Sequence, residues 1–458
     1  MKVRPWFPIC SSVSCTNSTC DATTDPAPPQ KTTPYRSSKL LYSDSSFSST
    51  ITLESNLSLQ TLPSVPSLQN TLLDHTSPNI FLSYHCLFSF KPQTWPVIVS
   101  CLAISGKLLY AASGNEINVF DLTNYTHLDS FSSSSGSVKS LAFSKDGKVF
   151  TAHQDCKIRV WFHTSPTKRH QQHQHQLIAT LPTVQDRLHR FVLPTNYVSI
   201  RRHKKRLWID HVDAVSGLEV SNGLIYSVSW DKYLKIWSSK DLVCLESVKA
   251  HEDAVNALVV SKEGTVYTGS ADTRIRVWAK AAVSFGDNKK QKRQRHRLIA
   301  TLEKHKSAVN ALAISHDGSV LFSGACDRSI LVWEREHSAH HMVVTGALRG
   351  HRGAILCLVN IVGPSSLSSS SDLLISGSAD RTIRIWQRCI RDSSSSSSSS
   401  RYFCLNVMEG HEKPVKSLVA VSQEEGGFSV CSGSLDGEIK VWRVSFSNQK
   451  INSTVVCT

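Results

Sequence analysis

The 458-residue sequence has no apolar run long enough to cross a membrane, because a transmembrane helix needs about 20 such residues. Its first ten residues, MKVRPWFPIC, are positively charged, but no apolar segment of the secretory type follows. The 13 cysteines are scattered from Cys10 to Cys457, with no CxxC pair and no histidines at zinc-ligand spacing. These absences predict neither a helical membrane protein nor a secreted disulfide framework. They favour cysteines that serve as small core residues in a reducing compartment, the cytoplasm or nucleus.

Sequence signatures of common enzyme classes are missing as well. The chain contains no GxSxG, HExxH, Walker or GxGxxG motif. We therefore predict no catalytic residue, no metal and no cofactor. Charged residues make up only 19% of the chain, and much of the net charge of +15 comes from two short basic runs.

The first 83 residues are rich in Ser, Thr and Pro and are predicted to be disordered, because they offer too little apolar surface to offset the entropy of ordering. One segment differs. In residues 57–69, LSLQTLPSVPSLQ, apolar residues recur through a polar stretch. This pattern suits a short docking motif, and a solvated tail that docks on nothing explains it equally well.

From residue 84 onwards, short β-type runs recur between Ser, Gly and Asp turns. The clearest unit holds runs at 254–260, 265–270 and 275–278, and its nearly continuous apolar first run is typical of a strand buried on both faces. The shortest spacing between units, 41 residues, matches the roughly 40–45 residues of a four-stranded propeller blade. The longer spacings indicate blades with inserted loops.

Four residue types fall in register along these units. A tryptophan closes the third strand of six units, and Phe120 takes this place in the first. An aspartate stands six residues before each tryptophan, a Ser or Thr stands four residues before each aspartate, and five units begin with a histidine. Four such units are His251/Thr268/Asp272/Trp278, His305/Ser323/Asp327/Trp333, His351/Ser376/Asp380/Trp386 and His411/Ser432/Asp436/Trp442, and a fifth is His211/Ser227/Asp231/Trp237.

Over about residues 84–444 this pattern resembles the WD-repeat family, in which such tetrads are hydrogen-bonded and hold each blade together. The resemblance implies an all-β fold, a single seven-bladed WD-repeat β-propeller between a disordered N-terminal region (1–83) and a short tail (445–458). It further implies that the N-terminal strand 86–90 closes blade 7. The family's Trp-Asp dipeptide is absent at the third-strand ends, and blade 2 has Ser134 where a histidine is expected.

A narrower resemblance rests on residues 196–211, the tail motif and the basic loop before Leu298, which look like those of plant Jingubang-type WD-repeat proteins. It implies a plant regulatory adaptor.

The two basic runs are candidate interaction or localisation sites, although a solvated loop explains each of them as well. We place the first in a connection between blades and the second between the third and fourth strands of one blade, which predicts opposite faces of the ring. This separation and the lack of interleaved aromatic residues favour localisation or acidic partners over a nucleic-acid groove. The runs comprise Arg201, Arg202, Lys204, Lys205 and Arg206, and then Lys289, Lys290, Lys292, Arg293, Arg295 and Arg297.

We therefore predict a monomeric, non-catalytic scaffold that docks other proteins or peptides on a propeller face. The face at the connections between blades has short loops apart from the insertion at 183–210, so the main partner site is expected there. A nucleic-acid-binding propeller and a substrate receptor of a ubiquitin ligase are the alternatives. The second rests on 374–388, which approaches a ligase-docking box but ends in Trp386-Gln-Arg388 without its aspartate.

Overall fold

The fold is taken from a computed structural model of the chain. It describes residues 65–68, 80–91, 98–164, 174–201, 204–280, 295–336, 341–363, 372–389, 401–423 and 427–448. Of the predicted disordered region, only 65–68 and 80–83 belong to these ranges, and the tail from 449 onwards lies outside them.

Short antiparallel strands dominate the described chain. The first strand is β1 (Ile80–Phe90). Blade 1 then contains β2 (Val99–Ser105), β3 (Leu108–Ser113), β4 (Glu116–Asp121) and β5 (His127–Ser132). Blade 2 contains β6 (Val138–Phe143), β7 (Lys148–His153), β8 (Ile158–Thr164) and β9 (Gln174–Leu181).

An insertion between blades 2 and 3 holds helix α1 (Val184–Phe191), a 3-10 turn (Pro194–Asn196) and the hairpin β10 (Tyr197–Arg201) and β11 (Lys204–Leu207). Blade 3 follows with β12 (Val215–Ser221), β13 (Leu224–Ser229), β14 (Tyr233–Ser238) and β15 (Cys244–Lys249). Blade 4 contains β16 (Val255–Val260), β17 (Val266–Ser270), β18 (Arg274–Lys280) and β19 (His296–Glu303).

The last three blades have the same order. Blade 5 contains β20 (Val309–Ile314), β21 (Val320–Ala325), β22 (Ile330–Arg335) and β23 (Met342–Leu348). Blade 6 contains β24 (Ile355–Val362), β25 (Asp372–Ser378), β26 (Ile383–Cys389) and β27 (Arg401–Met408). Blade 7 contains β28 (Val415–Ser422), β29 (Gly427–Ser434) and β30 (Ile439–Asn448).

The fourth strand of blade 7 is β1, which precedes blade 1 in the chain. The order of this sheet is β1-β30-β29-β28, and Cys86 pairs with Trp442 and Phe90 with Ile439. The predicted seven-bladed propeller is confirmed, and strand 86–90 lies in blade 7 as expected. The paired strands extend beyond 84–444 at both ends, because β1 begins at Ile80 and β30 ends at Asn448.

A tight turn after the second strand of each blade explains why the aspartate recurs. In six blades the residue after this aspartate has a positive φ, for example 79° at Lys232 and 74° at Arg381. This backbone region disfavours side chains. The aspartate compensates by accepting a hydrogen bond from the backbone N–H two residues on, at 3.0 Å from Tyr233 to Asp231.

Neighbouring blades pack through small residues that follow the tetrad hydroxyl. A Cβ at Gly324 would collide with Ile355, the first residue of β24 in the next blade. Gly433 of blade 7 is equally close to Val99 of blade 1, so this contact closes the ring. Substituting these glycines would push adjacent blades apart, and interiors packed at this density tolerate little added volume.

Candidate protein-interaction site and the blade tetrads

The structure brings together the members of all five predicted tetrads, and four of the five are fully hydrogen-bonded. In blade 4 the Trp278 indole N–H donates to Thr268 Oγ1 at 3.0 Å, and His251 places Nε2 at 2.8 Å from the same oxygen and Nδ1 at 2.9 Å from Asp272. The donors and acceptors balance when the histidine is neutral, since the hydroxyl donates to Nε2 and Nδ1–H donates to the carboxylate.

Blades 3, 5 and 6 repeat this complete chain of hydrogen bonds. The indole N–H donates to the serine hydroxyl, the histidine Nε2 faces the same oxygen and Nδ1 faces the aspartate, all at 2.8–2.9 Å. The buried indole–hydroxyl pairs are Trp237 with Ser227, Trp333 with Ser323 and Trp386 with Ser376. Because these side chains are buried, they hold their blades together and offer no surface to a partner.

The protonation equilibria fit this arrangement. Burial lowers the pKa of His211 and of His351, so both imidazoles favour the neutral form. Burial acts against the ionised form of Asp272, but hydrogen bonds from His251 and from two backbone N–H groups outweigh it and lower the pKa of this carboxyl to about 2. Each complete tetrad is therefore a satisfied structural network, and its recurrence from blade to blade argues against a catalytic triad.

Blade 7 departs from the pattern at its carboxylate. The Trp442 indole N–H donates to Ser432 Oγ at 2.8 Å, and His411 Nε2 lies 2.7 Å from the same oxygen, as in the other tetrads. Nδ1 of His411, however, lies 3.6 Å from Asp436, beyond hydrogen-bond length. The predicted tetrad of blade 7 is therefore assembled at Ser432 and incomplete at Asp436.

A cluster of possible metal ligands lies at the same place. His411, Asp436 and Glu438 present potential metal-ligand atoms within 4.8 Å of one another. Glu438 already forms an ion pair with Lys440 at 2.8 Å and accepts a hydrogen bond from Ser89. These contacts explain the cluster without a metal, and the absence of a metal stays a prediction.

Blade 2 has a histidine that the sequence reasoning missed. His153 takes the role expected at position 134: its Nε2 lies 2.7 Å from Thr151 Oγ1, which accepts from Trp161 at 2.9 Å. Its Nδ1 is 3.0 Å from the Gly136 carbonyl instead of a carboxylate. The signal was its position two residues before Asp155, where the five tetrad blades have Ser or Ala.

One described arginine from each basic run lies at the same cavity, although opposite faces were expected for the two runs. Arg206 of the first run and Arg295 of the second line one cavity of about 790 Å³ at the side of blade 3. They meet because hairpin β10–β11 lies against this side, while the start of β19 joins blade 3 through a hydrogen bond from the His296 N–H to Glu246 at 2.9 Å. The two connections that contain the basic runs leave their blades at opposite rims. Arg206 and Arg295, at the described ends of these connections, nevertheless line the same cavity.

This cavity is balanced in charge. Arg206, Arg295 and Lys235 share its walls with four carboxylates, those of Asp210, Asp213, Asp231 and Glu246. Trp208 and Tyr233 also line it, yet each ring has a cation over it, Arg190 at 4.6 Å and Lys235 at 5.3 Å. Such a wall offers phosphates little excess positive charge. Arg202 and Lys289 to Arg293 lie outside the described residues, whereas Lys205, Arg295 and Arg297 are exposed.

Part of the N-terminal motif contacts the propeller. Residues 65–68 lie beside β23 of blade 5: the Ala347 N–H donates to the Pro66 carbonyl at 2.9 Å, and the Leu68 N–H donates to the Ala347 carbonyl at 3.1 Å. The Leu68 carbonyl accepts from Tyr402 of blade 6 at 3.2 Å. Val65 is buried. These four residues form an isolated parallel β-bridge, Ser67 with Ala347, at the outer edge of blade 5 and contact the next blade.

Gly346 provides a test of this contact. A Cβ at this position would overlap the side chain of Leu68. We expect Gly346→Val to displace residues 65–68 and to speed hydrogen exchange at the Ala347 and Tyr402 amides, because their acceptors are lost. Leu68→Ala should partly restore protection in the double variant, since it removes the overlap. Unchanged exchange in Gly346→Val would contradict the contact.

Eight of the cysteines whose side chains the structure describes are free, and these eight form no disulfide. Burial raises the pKa of the Cys101, Cys357 and Cys431 thiols to about 12, so these groups stay protonated and unreactive. No helix among the described residues combines the length and the apolar character needed to span a bilayer.

Seven four-stranded blades define the class: the chain is a seven-bladed β-propeller with tetrads like those of WD repeats, a fold that typically serves as a non-catalytic scaffold. Five segments match the family model described as WD domain, G-beta repeat. Each ends at, or one residue after, the tryptophan that closes a third strand. The segments are residues 125–161, 242–279, 296–334, 342–387 and 402–443.

Among curated proteins, the chain is similar to fly proteins with one shared name, "Ribosome biogenesis protein WDR12 homolog". Those of Drosophila erecta, Drosophila persimilis and Drosophila yakuba are each 28% identical to it over 242 residues. The alignment covers 51% of this chain and 52% of each relative, so the chain spans about half the length of the curated relatives it matches.

Proposed function

We propose that this protein is a plant regulatory adaptor, linked to signalling or transcription, that holds two or more proteins on a rigid ring. The observation that carries the scaffold role is the set of five tetrads. Their histidine, hydroxyl and carboxylate groups are of the types that serve in enzymes, but here they contact one another within their own blades. The plant regulatory role rests on the resemblance of residues 196–211 and of the tail motif to Jingubang-type proteins. Specificity would come from side chains on the connections between strands.

The main partner site is proposed on the rim that carries the connections between blades. Those connections are short apart from the insertion at 183–210, which leaves this rim with few long loops. The opposite rim carries the long connections after β8, β18 and β26. The motif 57–69 is proposed to dock on the outer edge of blade 5, which the contacts of residues 65–68 support.

A second candidate is a scaffold in ribosome assembly. The observation that favours it is the name shared by the fly relatives. The similarity covers half of each relative at 28% identity, so it supports the shared repeats more strongly than a shared pathway. Localisation in the nucleus would agree with both candidates, with the basic runs as import signals.

The two remaining alternatives have less support. Nucleic-acid binding would be favoured by the convergence of Arg206 and Arg295, but the four carboxylates in the same cavity oppose it. For a ubiquitin-ligase receptor, Arg388 would have to contact the ligase adaptor. It is instead engaged with Glu334 of blade 5 at 3.1 Å.

Affinity purification with mass spectrometry from plant cells tests the proposal. The full chain is compared with a variant in which both basic runs are neutralised, each with and without nuclease. We expect the same regulatory proteins regardless of nuclease. A control variant with exposed lysines of other connections neutralised, among them Lys107, Lys145 and Lys240, should recover them as well. Ribosome-assembly factors would favour the second candidate, and partners that vanish with nuclease would overturn the adaptor proposal.

A further inference from the structure

Helix α1 in the insertion carries its apolar side chains on the solvent side. Val184, Leu188 and Phe191 are spaced four and three residues apart, so they lie on one helix face. Their exposed fractions are 74%, 64% and 65%. A helix that only covers the propeller would turn this face inward. The orientation of α1 is thus opposite to the one that burial of apolar surface alone would select.

Hydrogen bonds on the polar face fix this orientation. Asp186 is buried and accepts from the Cys244 backbone N–H at 3.0 Å and from Arg190 at 2.7 Å. Arg190 donates to the Cys244 carbonyl at 2.9 Å and stacks over Trp208 at 4.6 Å. Thr183 caps the helix by accepting from the Asp186 N–H at 3.1 Å. The polar face is therefore anchored to blade 3, and it cannot exchange places with the apolar face without losing these bonds.

The apolar surface continues beyond the helix. Val192 and Leu193 directly follow α1 and are 76% and 56% exposed. Together with Val184, Leu188 and Phe191 they form what we call the α1 ridge. Single exposed apolar residues are common on protein surfaces, but several grouped on one element are typical of an interaction site.

The charge of the insertion that carries the α1 ridge indicates the chemistry of a complementary partner. Within residues 183–210 there are seven arginine or lysine residues and two aspartates. Both aspartates form ion pairs inside the insertion, Asp186 with Arg190 and Asp210 with Arg187 at 2.8 Å. By sequence count the five further cations at 201–206 leave the insertion with an excess of positive charge, and Lys205 is the one among them whose described side chain is exposed. A complementary partner carries carboxylates beside its apolar side chains.

Two other occupants fit less well. A second copy of this chain would bring an equally basic insertion against the first in a symmetric contact, which like charges oppose. The described part of the N-terminal motif is bound at β23 of blade 5, whereas α1 is anchored to β15 of blade 3.

We propose that the α1 ridge binds an acidic amphipathic helix of a partner protein, with leucine or phenylalanine on one face and glutamate or aspartate on its flanks. The helix would lay its apolar face on Val184, Leu188 and Phe191, and its carboxylates would pair with exposed cations of the insertion such as Lys205. This inference rests on the proposed adaptor function and names the surface and the partner chemistry.

Fluorescence anisotropy with the full chain tests it. The probe is a labelled helical peptide of about 18 residues with leucines at helical i, i+3, i+4 and i+7 spacing and glutamates elsewhere. We expect binding that weakens with salt. Leu188→Asp combined with Phe191→Asp should weaken it by about tenfold or more, as at interface hot spots. Val362→Asp, at a 51% exposed position in blade 6, is the matched control and should bind like the wild type.

The controls separate the possible failures. Far-UV circular dichroism should show unchanged folding of both variants, because the substituted side chains face solvent. The same peptide with lysine in place of glutamate should not bind, and equal binding of both peptides, or equal binding to the ridge variant, would overturn the proposal. The proposal would also be overturned if light scattering showed a dimer of the wild-type chain and a monomer of the ridge variant. If affinity purification recovers the same partners with the ridge variant, the adaptor function stands without this site.

Discussion

Replacing Trp386 by alanine is expected to lower the free energy of unfolding by about 3–5 kcal/mol, the usual cost of removing a large buried aromatic side chain. Trp386 is fully buried and packs in one cluster with Phe322 of blade 5 and Tyr402 of blade 6. Its indole N–H donates to Ser376 at 2.9 Å. The substitution therefore opens a cavity between two blades and breaks a tetrad at the same time.

Trp386→Phe separates these two effects. It keeps most of the volume and removes the indole donor, so we expect a loss of about 1 kcal/mol, the net contribution of one buried hydrogen bond. Phe120 at the equivalent place in blade 1 shows that the fold accepts phenylalanine there. Urea unfolding followed by circular dichroism measures both variants. An alanine variant that loses less than the phenylalanine variant would contradict the role given to Trp386.

The sequence was sufficient for the features that recur. The five tetrads could be predicted because each hydrogen bond requires a particular residue type at a particular position of the blade, and five blades repeat that requirement. The closing strand 86–90 could be predicted because a ring needs a fourth strand in blade 7 and the apolar run before blade 1 offers one. A structural requirement that recurs from blade to blade therefore produces a recurring pattern of residues in the sequence.

The features missed from the sequence occur only once. His153 lies in the second strand of its blade and replaces a histidine that the tetrad blades carry in the connection before their first strand, and no second blade repeats the substitution. The long distance between His411 and Asp436 in blade 7 leaves no trace in the spacing of that tetrad. The outward face of α1 depends on Asp186, whose partner Cys244 is 58 residues away in the chain. Likewise, the meeting of Arg206 and Arg295 depends on how a hairpin lies beside a blade, whereas connection topology predicts only the rim from which each loop departs.

The N-terminal motif is an intermediate case. The recurring apolar residues of the motif did not decide between a docking segment and a solvated tail. An edge strand can form backbone hydrogen bonds with segments of many different sequences, so the motif needs no distinctive residues to dock. The local fit is selective through Gly346, whose missing side chain makes room for Leu68. That complementarity lies nearly 280 residues away in the chain, so it could not be recognised from the motif itself.

Replacing His153 by glutamine is expected to flatten the dependence of stability on pH. Burial is the main reason that the pKa of His153 falls from 6.5 to about 4. A histidine whose pKa is depressed by folding contributes stability that is complete above pH 6.5 and is lost as the pH falls towards 4, because only the unfolded chain takes up the proton in this range. At about 1.4 kcal/mol per tenfold change in proton concentration, the wild type should lose about 3 kcal/mol at this site.

Unfolding midpoints in urea at pH 7, 6, 5 and 4 provide the measurement. His153→Gln stays neutral throughout and should lose less stability over this range, although it starts from a less stable protein because the hydrogen bonds to Thr151 and Gly136 are altered. His211 and His351 act in the same direction in both proteins, so the difference between the curves isolates His153. His85→Gln, at an exposed position in β1, should give the wild-type slope. Parallel curves for wild type and His153→Gln would mean that His153 is not held neutral, and the hydrogen-bond network assigned to blade 2 would then be wrong.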